Sequence, residues 1–466
     1  MYSSIKFFFL FVFVLSFFNG CSTLPNVSKV INDAPSGQEP HQIVSADGLL
    51  SPEKSSAILE RLKKSVDPTD MMQRSVAVIE SVSDSPLTKG NKVTLLLDGS
   101  NTYPAMFEAI RNAKDHINLE TFILEDITIN EDTGLKLADL LLQKQAEGVQ
   151  VNILYDKTGC QSTPASFFQY LRDGGIKVTE FNPIHQDKTE EKTRLAKLDH
   201  RKILIIDGKI AFTGGVNISE VYTSGFSGMK KNQQSKIPWR DTDVQIEGPA
   251  VAEFQKLFIG TWERQKGEKL AERNYFPDFE KDVGNTLVGV VGSEPGTVNR
   301  NTFILYVSAI TFAEHSIHIT NAYFIPDNQT IDALIDAAKR GVDVKIILPD
   351  ITDSALADYA GQYFYSKLLQ SGVKLYRRKN ALLHAKTLVI DDVWSTVGST
   401  NMDFLSFSSN DEVNAVILSS EFAAEMEKMF ATDLAASKEI TLKEWKNRPL
   451  FSKFRELFVH LFSHLL

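Results

Sequence analysis

The 466-residue chain contains only two cysteines, Cys21 and Cys160, too few for a disulfide framework or a cysteine-rich zinc site. It has no surplus of positive charge. Its 50 Lys and Arg stand against 59 Asp and Glu, a formal balance of −9, so no global basic field marks it for nucleic acid. It also lacks an apolar run of bilayer length. The amino-terminal stretch Phe7 to Phe18 reaches about 18 Å at about 1.5 Å per residue, short of a hydrocarbon core of roughly 30 Å. With 43% hydrophobic and 23% charged residues, the composition is neither that of a disordered chain nor that of a polytopic membrane protein. What remains is a globular chain with room for two to four units of about 100 to 200 residues, or a duplicated pair with additions.

The stretch Phe7 to Phe18 follows Lys6 and has the length of a signal-peptide core. It runs into Asn19-Gly20-Cys21-Ser22, and a small residue before a cysteine after such a stretch resembles a bacterial lipoprotein cleavage site, whose cysteine is lipidated. Phe18 and Asn19 depart from that pattern, which leaves an ordinary cleaved signal or a retained anchor, with Cys21 unmodified, as alternatives. All three predict that the rest of the chain works outside the cytoplasm, and the lipoprotein reading predicts a protein exported to and anchored in a bacterial cell envelope. Residues 22–90 read as a tether followed by short helices. Leu24 to about Ser51 has little apolar periodicity, and Pro52 to Val82 reads as short polar-faced helices. A strand over Val93 to Leu97, a turn at Asp98-Gly99-Ser100 and a helix over Pro104 to Ala113 open the folded body.

That body contains one pattern twice. Ala113 to Leu119 leads into Phe122-Ile123, and Ala313 to Ile319 leads into Phe324-Ile325, each a helix end followed by a strand. Glu147-Gly148-Val149-Gln150-Val151 and Arg340-Gly341-Val342-Asp343-Val344 open a second strand in each half. A third element ends in Gly174-Gly175-Ile176-Lys177-Val178 and again in Ser371-Gly372-Val373-Lys374-Leu375. Strands alternate with helices, so the expected fold is α/β: residues 91–285 and 286–440 form two pseudo-symmetric repeats, each a sheet flanked by helices.

Each repeat then carries the same chemical string. His200-Arg201-Lys202 runs through Ile203 to Ile206 into Asp207 and on to Gly214-Gly215-Val216-Asn217. His384-Ala385-Lys386 runs through Thr387 to Ile390 into Asp391 and on to Gly398-Ser399-Thr400-Asn401 at identical spacing. Alternate side chains of a strand share a face, so His200 points with Lys202 and His384 with Lys386. Singly, such a His is a satisfied core or surface group, such a Lys a solvated charge and such an Asp a turn residue. The duplicate spacing is what those bland readings do not explain.

Two copies of H-x-K-x4-D with a following G-[GS]-x-N resemble the phospholipase D superfamily, and the resemblance covers about Val93 to Leu466. It implies mixed sheets flanked by helices and one active site at the interface of the repeats. A phosphodiester repels a nucleophile, and Lys202, Lys386, Asn217 and Asn401 can spread positive charge and hydrogen bonds over its oxygens. One neutral imidazole attacks phosphorus while the other, protonated, donates to the leaving alkoxide, giving a covalent phosphohistidine. By resemblance His200 is the nucleophile and His384 the acid, and Asp207 and Asp391 support the geometry. The chemistry calls for no cofactor or metal, since Lys is a poor ligand beside His and a two-metal carboxylate set is missing. Each histidine needs its second ring nitrogen fixed. Asp241 and Glu412 occupy matching positions after the two motifs, and the resemblance implies that each orients the histidine of the opposite repeat.

The flanking strings Leu119 to Asp126, Trp239-Arg240-Asp241-Thr242-Asp243 and Asn321 to Asp327 resemble the bacterial cardiolipin synthase branch. That resemblance implies a glycerophospholipid substrate, phosphatidylglycerol foremost, and work at a membrane surface, with transfer and hydrolysis both open. An exported nuclease of the same superfamily and a non-catalytic lipid-binding envelope protein are the alternatives, the acidic balance opposing the first and two full motifs opposing the second. Ser224 to Lys236 reads as a loop near the site mouth. In residues 441–466, apolar side chains from Leu450 to Leu465 fall in a helical stripe, which would lie either on a bilayer or on a protein surface.

Overall fold

The computed structural model describes residues 24–33, 42–46, 48–64, 71–83, 85–130, 133–182, 197–223, 237–279, 281–294 and 300–463. The signal-like stretch, Cys21 and the loop Ser224 to Lys236 lie outside these residues.

The run Ile203 to Ile206 is buried on both faces, which is why it has the near-continuous aliphatic character of an interior strand rather than an alternating one. It sits in the middle of a sheet. In order, Lys177–Phe181, Gln150–Asp156 and His116–Thr121 pair in parallel. Then Lys202–Ile206, Ile210–Gly214, Thr242–Glu247 and Leu87–Leu97 follow antiparallel. The second half repeats the order. Lys374–Leu383, Asp343–Ile351 and Ser316–Asn321 are parallel, and Lys386–Ile390, Trp394–Gly398, Glu412–Leu418 and Thr286–Ser293 continue antiparallel. The long strand Leu87–Leu97 also pairs with Thr286–Ser293, joining the two sheets.

Helices cover these sheets, and the apolar side chains fall into three main clusters. One, with Phe107, Ile153 and Leu204, belongs to the first half, and another, with Phe303, Ile346 and Leu388, to the second. The third lies between the halves. It gathers Ile205 and Val244 from one sheet, Val389 and Val413 from the other, and Phe254, Phe258 and Met426 from the helices Val251–Arg264 and Ser420–Ala435. A shared apolar core of this kind fixes the halves against each other.

Three local expectations are corrected. The helix after the first long strand starts at Asp98, so the expected turn forms its first residues, and Pro104 lies inside it. The described part of the expected tether is packed on the body. Helix Val27–Asp33 buries Val27, whose N–H donates to Gln329, and strand Ile43–Ser45 buries Ile43 and pairs with Leu87–Leu97. Helix Met71–Val82 likewise buries Met71, Met72, Val76 and Ile79 and is not a polar-faced element. Few apolar residues in a segment do not prevent docking when some of them, here Val27 and Ile43, reach the core.

Candidate functional site

The two motifs meet where the halves cross. Asp199 bridges Asp411, and the N–H of His200 donates to the Asp411 carbonyl at 2.9 Å. On the other side Trp239–Arg240 pairs in parallel with Leu382 and Leu383, and the N–H of His384 donates to the Arg240 carbonyl at 2.8 Å. Each histidine is therefore tied by its own backbone to the residue before the carboxylate of the opposite half. Such a tie places side chain against side chain. His200 Nδ1 lies 3.1 Å from both Glu412 carboxylate oxygens, and His384 Nδ1 lies 2.8 Å from Asp241 Oδ2. Glu412 and Asp241 are fully buried, while His200 and His384 keep 7% and 5% exposure, enough to leave the other edge of each ring facing the site.

Lys202 and Lys386 stand beside them. Each ammonium donates to the carbonyl of the histidine two residues earlier. Burial pushes Lys202 down to about 7, and the charge of Lys386 adds to the shift although Glu412 opposes it. Burial likewise brings Lys386 to about 8. His200 is held well below the usual histidine range by burial, then by the charges of Lys202, Lys386 and His384, so the two motifs act on one another across the seam. Four basic groups are buried together, which is the electrostatic signature of a place built for an anion.

The halves are not equivalent. Burial raises Glu412 to about 7 against the pull of Ser399 and Lys202. Asp241 is held below the ordinary range despite burial, because His384 and Lys386 favour its charge. Burial and Lys386 lower His384, while Asp241 opposes them. Local sequence explains the difference. Gly215 leaves room for the shorter acid, since a Cβ there would lie 2.0 Å from Asp241 Oδ1. Its counterpart Ser399 instead donates its hydroxyl to Glu412.

Asn217 and Asn401 follow the strands Ile210–Gly214 and Trp394–Gly398 and are both buried. Asn217 accepts from the Ile123 N–H at 3.3 Å and donates to the Tyr222 hydroxyl at 3.2 Å. Asn401 keeps a buried side-chain oxygen without a protein partner. Asp207 and Asp391 are elsewhere. Each ends its strand at positive φ, and its carboxylate accepts from three consecutive backbone N–H groups, Lys114 to His116 and Glu314 to Ser316 respectively. At about 3.3 Å per residue they lie roughly 16 Å along the strand from the lysines, so the structure does not bring them to the histidines.

Aromatic side chains complete the walls. Phe122 meets the His200 ring edge-on at 5.1 Å. Around His384 stand Trp239 at 5.4 Å, Tyr323 at 6.1 Å and Tyr222, whose hydroxyl lies 3.1 Å from Nδ1. Sequence reasoning missed Tyr222, Ser399 and this aromatic ring. Phe122 and Tyr323 follow matching strands in the two repeats, which is the signal that would have found them. Among the described residues, no group of three or more His, Cys, Asp or Glu is arranged to hold a metal ion.

Duplicated sheets with an H-x-K pair at their seam define the phospholipase D superfamily, and the comparisons agree. Residues 106–262 and 306–434 match the family described as "Cardiolipin synthase, PLD-like domain". The chain is 32% identical to the cardiolipin synthase of Alkalihalophilus pseudofirmus, covering 87% of this chain and 78% of that protein. It is 35% identical to cardiolipin synthase 1 of Staphylococcus epidermidis, covering 82% and 76%. A crystal structure of phosphatidylserine synthase from Haemophilus influenzae shares the fold at a TM-score of 0.59 and 15% identity, covering 80% of this chain and 95% of that one. The chain belongs to the cardiolipin synthase family of phospholipase D-like proteins, and it is an enzyme of the phosphatidyltransferase kind.

Proposed function

We propose that the chain transfers a phosphatidyl group from phosphatidylglycerol through a phosphohistidine on His200, with the hydroxyl of a second glycerol-bearing lipid as acceptor. The carrying observation is the crossed pairing of His200 with Glu412 and His384 with Asp241. In this reading Glu412 fixes the ring of His200 through Nδ1, so that Nε2 faces phosphorus with a free electron pair. Nε2 attacks, the glycerol oxygen leaves, and His384 gives it a proton. The second alcohol then loses its proton to the neutral His384 as its oxygen attacks phosphorus and frees His200.

The asymmetry of the acids supports this direction. A charged Asp241 favours the protonated form of His384, whereas burial and neighbouring charge keep His200 neutral and nucleophilic. Lys202, Lys386, Asn217 and Asn401 are the groups to hold the non-bridging oxygens, and the Asn401 carboxamide belongs to the same cradle. The apolar and aromatic wall suits a lipid better than a nucleic acid. Relatives are bacterial proteins, and the stretch Phe7 to Phe18 with Cys21 supports export and anchoring at the envelope membrane. Mass spectrometry of products from defined phosphatidylglycerol tests the reading. Cardiolipin and glycerol are expected from the wild type and not from His200→Ala or His384→Ala. Phosphatidic acid without cardiolipin assigns hydrolysis, and no turnover at all rejects the proposal.

A further inference from the structure

The carboxyl-terminal helix Leu450–His460 is attached to the body by its polar side. Glu456 is only 2% exposed and is held by the Arg448 guanidinium, with an N–H···O distance of 2.6 Å. The Arg455 guanidinium lies 3.5 Å over the ring of Tyr359, and His460 stacks on Tyr363 at 3.9 Å. Tyr359 belongs to the helix Ala355–Gln362 and Tyr363 follows it directly. The apolar side points away. Leu450, Phe451, Phe454, Leu457, Phe458, Leu461 and Phe462 are all exposed, Leu450 at 80% and Phe451 at 75%. Their spacing places them on one face. A helix packed for stability would bury that face and leave Glu456 and Arg455 in water, so the orientation is inverted.

Charge selects the occupant. In a chain of net −9, residues 446–463 carry four cations against the single acid Glu456; Arg448 neutralises that acid and Arg455 is turned onto Tyr359, so Lys446 and Lys453 are the cations left beside the apolar face. An apolar face edged by cations fits an anionic bilayer, with phenyl and leucyl groups among the acyl chains and ammonium groups at the phosphates. The helix is also close to the chemistry. Val459 packs on the cluster of Ile325, Ala357 and Ala360 together with Tyr323, and Tyr323 meets the ring of His384.

We infer that this helix is a monotopic membrane-docking element that seats the active site against the surface of an anionic bilayer. The inference deepens the lipid-substrate reading above and rests on it for the choice of occupant. Its test uses the full chain on vesicles of phosphatidylglycerol and phosphatidylcholine with plain or brominated acyl chains. A Phe454→Trp variant is expected to add to the emission of the four native tryptophans a component that brominated lipid quenches about twofold or more. Equal emission in both vesicles overturns the inference. So does unquenched emission in a chain that elutes as a dimer, which would assign the face to a second copy. A Phe451→Ser/Phe454→Ser/Phe458→Ser variant changes only exposed positions. It is expected to lose about tenfold in turnover of vesicle phosphatidylglycerol while matching the wild type on a short-chain, monomeric one. Equal loss on both substrates overturns the docking role. Because quenching requires no turnover, it is decided separately from the phosphatidyl-transfer reading.

Discussion

His200 and His384 are the same residue in the same motif, and the acids behind them make them different. Glu412, raised to about 7 by burial, leaves His200 with a partner of reduced charge, whereas Asp241 stays ionised. The proposed reaction needs His200 neutral, His384 protonated and both lysines charged. His200 is lowered well below 6.5, so its acid limb is displaced to low pH. As pH rises, His384, Lys202 at about 7 and Lys386 at about 8 successively lose the protons that hold and cleave the substrate. For the free enzyme, kcat/KM is therefore expected to be greatest on the acid side of neutrality, to begin falling as His384 loses its proton below 6.5, and to fall further as pH passes the lysines at about 7 and 8. A bound phosphodiester anion raises all three groups, so kcat should fall at higher pH than kcat/KM does. Steady-state profiles on one lipid check both statements, and a kcat/KM still climbing at pH 9 contradicts the assignment.

Asp207 and Asp391 show how one motif can hold residues of two kinds. The strand carries the lysine at one end and the aspartate at the other, and the aspartate gathers the backbone N–H groups that lead into the neighbouring strand. Asp391→Asn keeps one accepting oxygen and loses the charge. It is expected to destabilise the protein by about 2 kcal/mol while leaving the turnover of the folded fraction within about threefold. Urea unfolding and kinetics normalised to folded protein separate the two effects, and a stable but inactive variant would return Asp391 to the chemistry. Much of this level was readable beforehand. The repeated strand-helix order and the matching positions of Asp241 and Glu412 follow from residues spaced alike in each half, and their crossing onto the opposite histidines was implied by the resemblance to the phospholipase D superfamily. What was not readable depends on single contacts between distant segments: Gly215 against Asp241, the Tyr222 hydroxyl at His384, and Ile43 and Val27 reaching the core from a polar stretch. No periodicity encodes them. The inverted carboxyl-terminal helix was visible as a stripe, but which side faces the body depended on Tyr359 and Tyr363, about a hundred residues earlier in the chain.

The assembled protein keeps a cluster of basic groups in its interior that Asp241 and Glu412 offset only in part, and that arrangement sets stability against function. Arg201 shows the alternative outcome: fully buried, it crosses the seam to the carbonyls of Glu412 and Ser293 and stands near Glu120 and Asp411, so its charge is compensated. Lys386 is compensated only in part, because burial outweighs the charges of Asp241, Asp353 and Glu412 that favour its protonated form. Its folded pKa of about 8 lies below the ordinary 10.5, so the unfolded chain binds more protons between these values and stability from this group rises with pH across that window. Below about 8 its burial is a constant cost. Replacing it by Met at pH 7 removes the cost and loses one hydrogen bond to the His384 carbonyl. The net change is expected to be a stabilisation of about 1–3 kcal/mol in the empty protein. An anion such as vanadate should act on one of the two proteins and not on the other. It stabilises the wild type by about 2.7 kcal/mol at a hundredfold excess over its dissociation constant, and it should leave Lys386→Met nearly unchanged. Thermal denaturation at pH 7 with and without vanadate reads both quantities. If the Met variant melts below the wild type without vanadate yet gains as much from it, Lys386 is a structural residue and the anion sits on other groups.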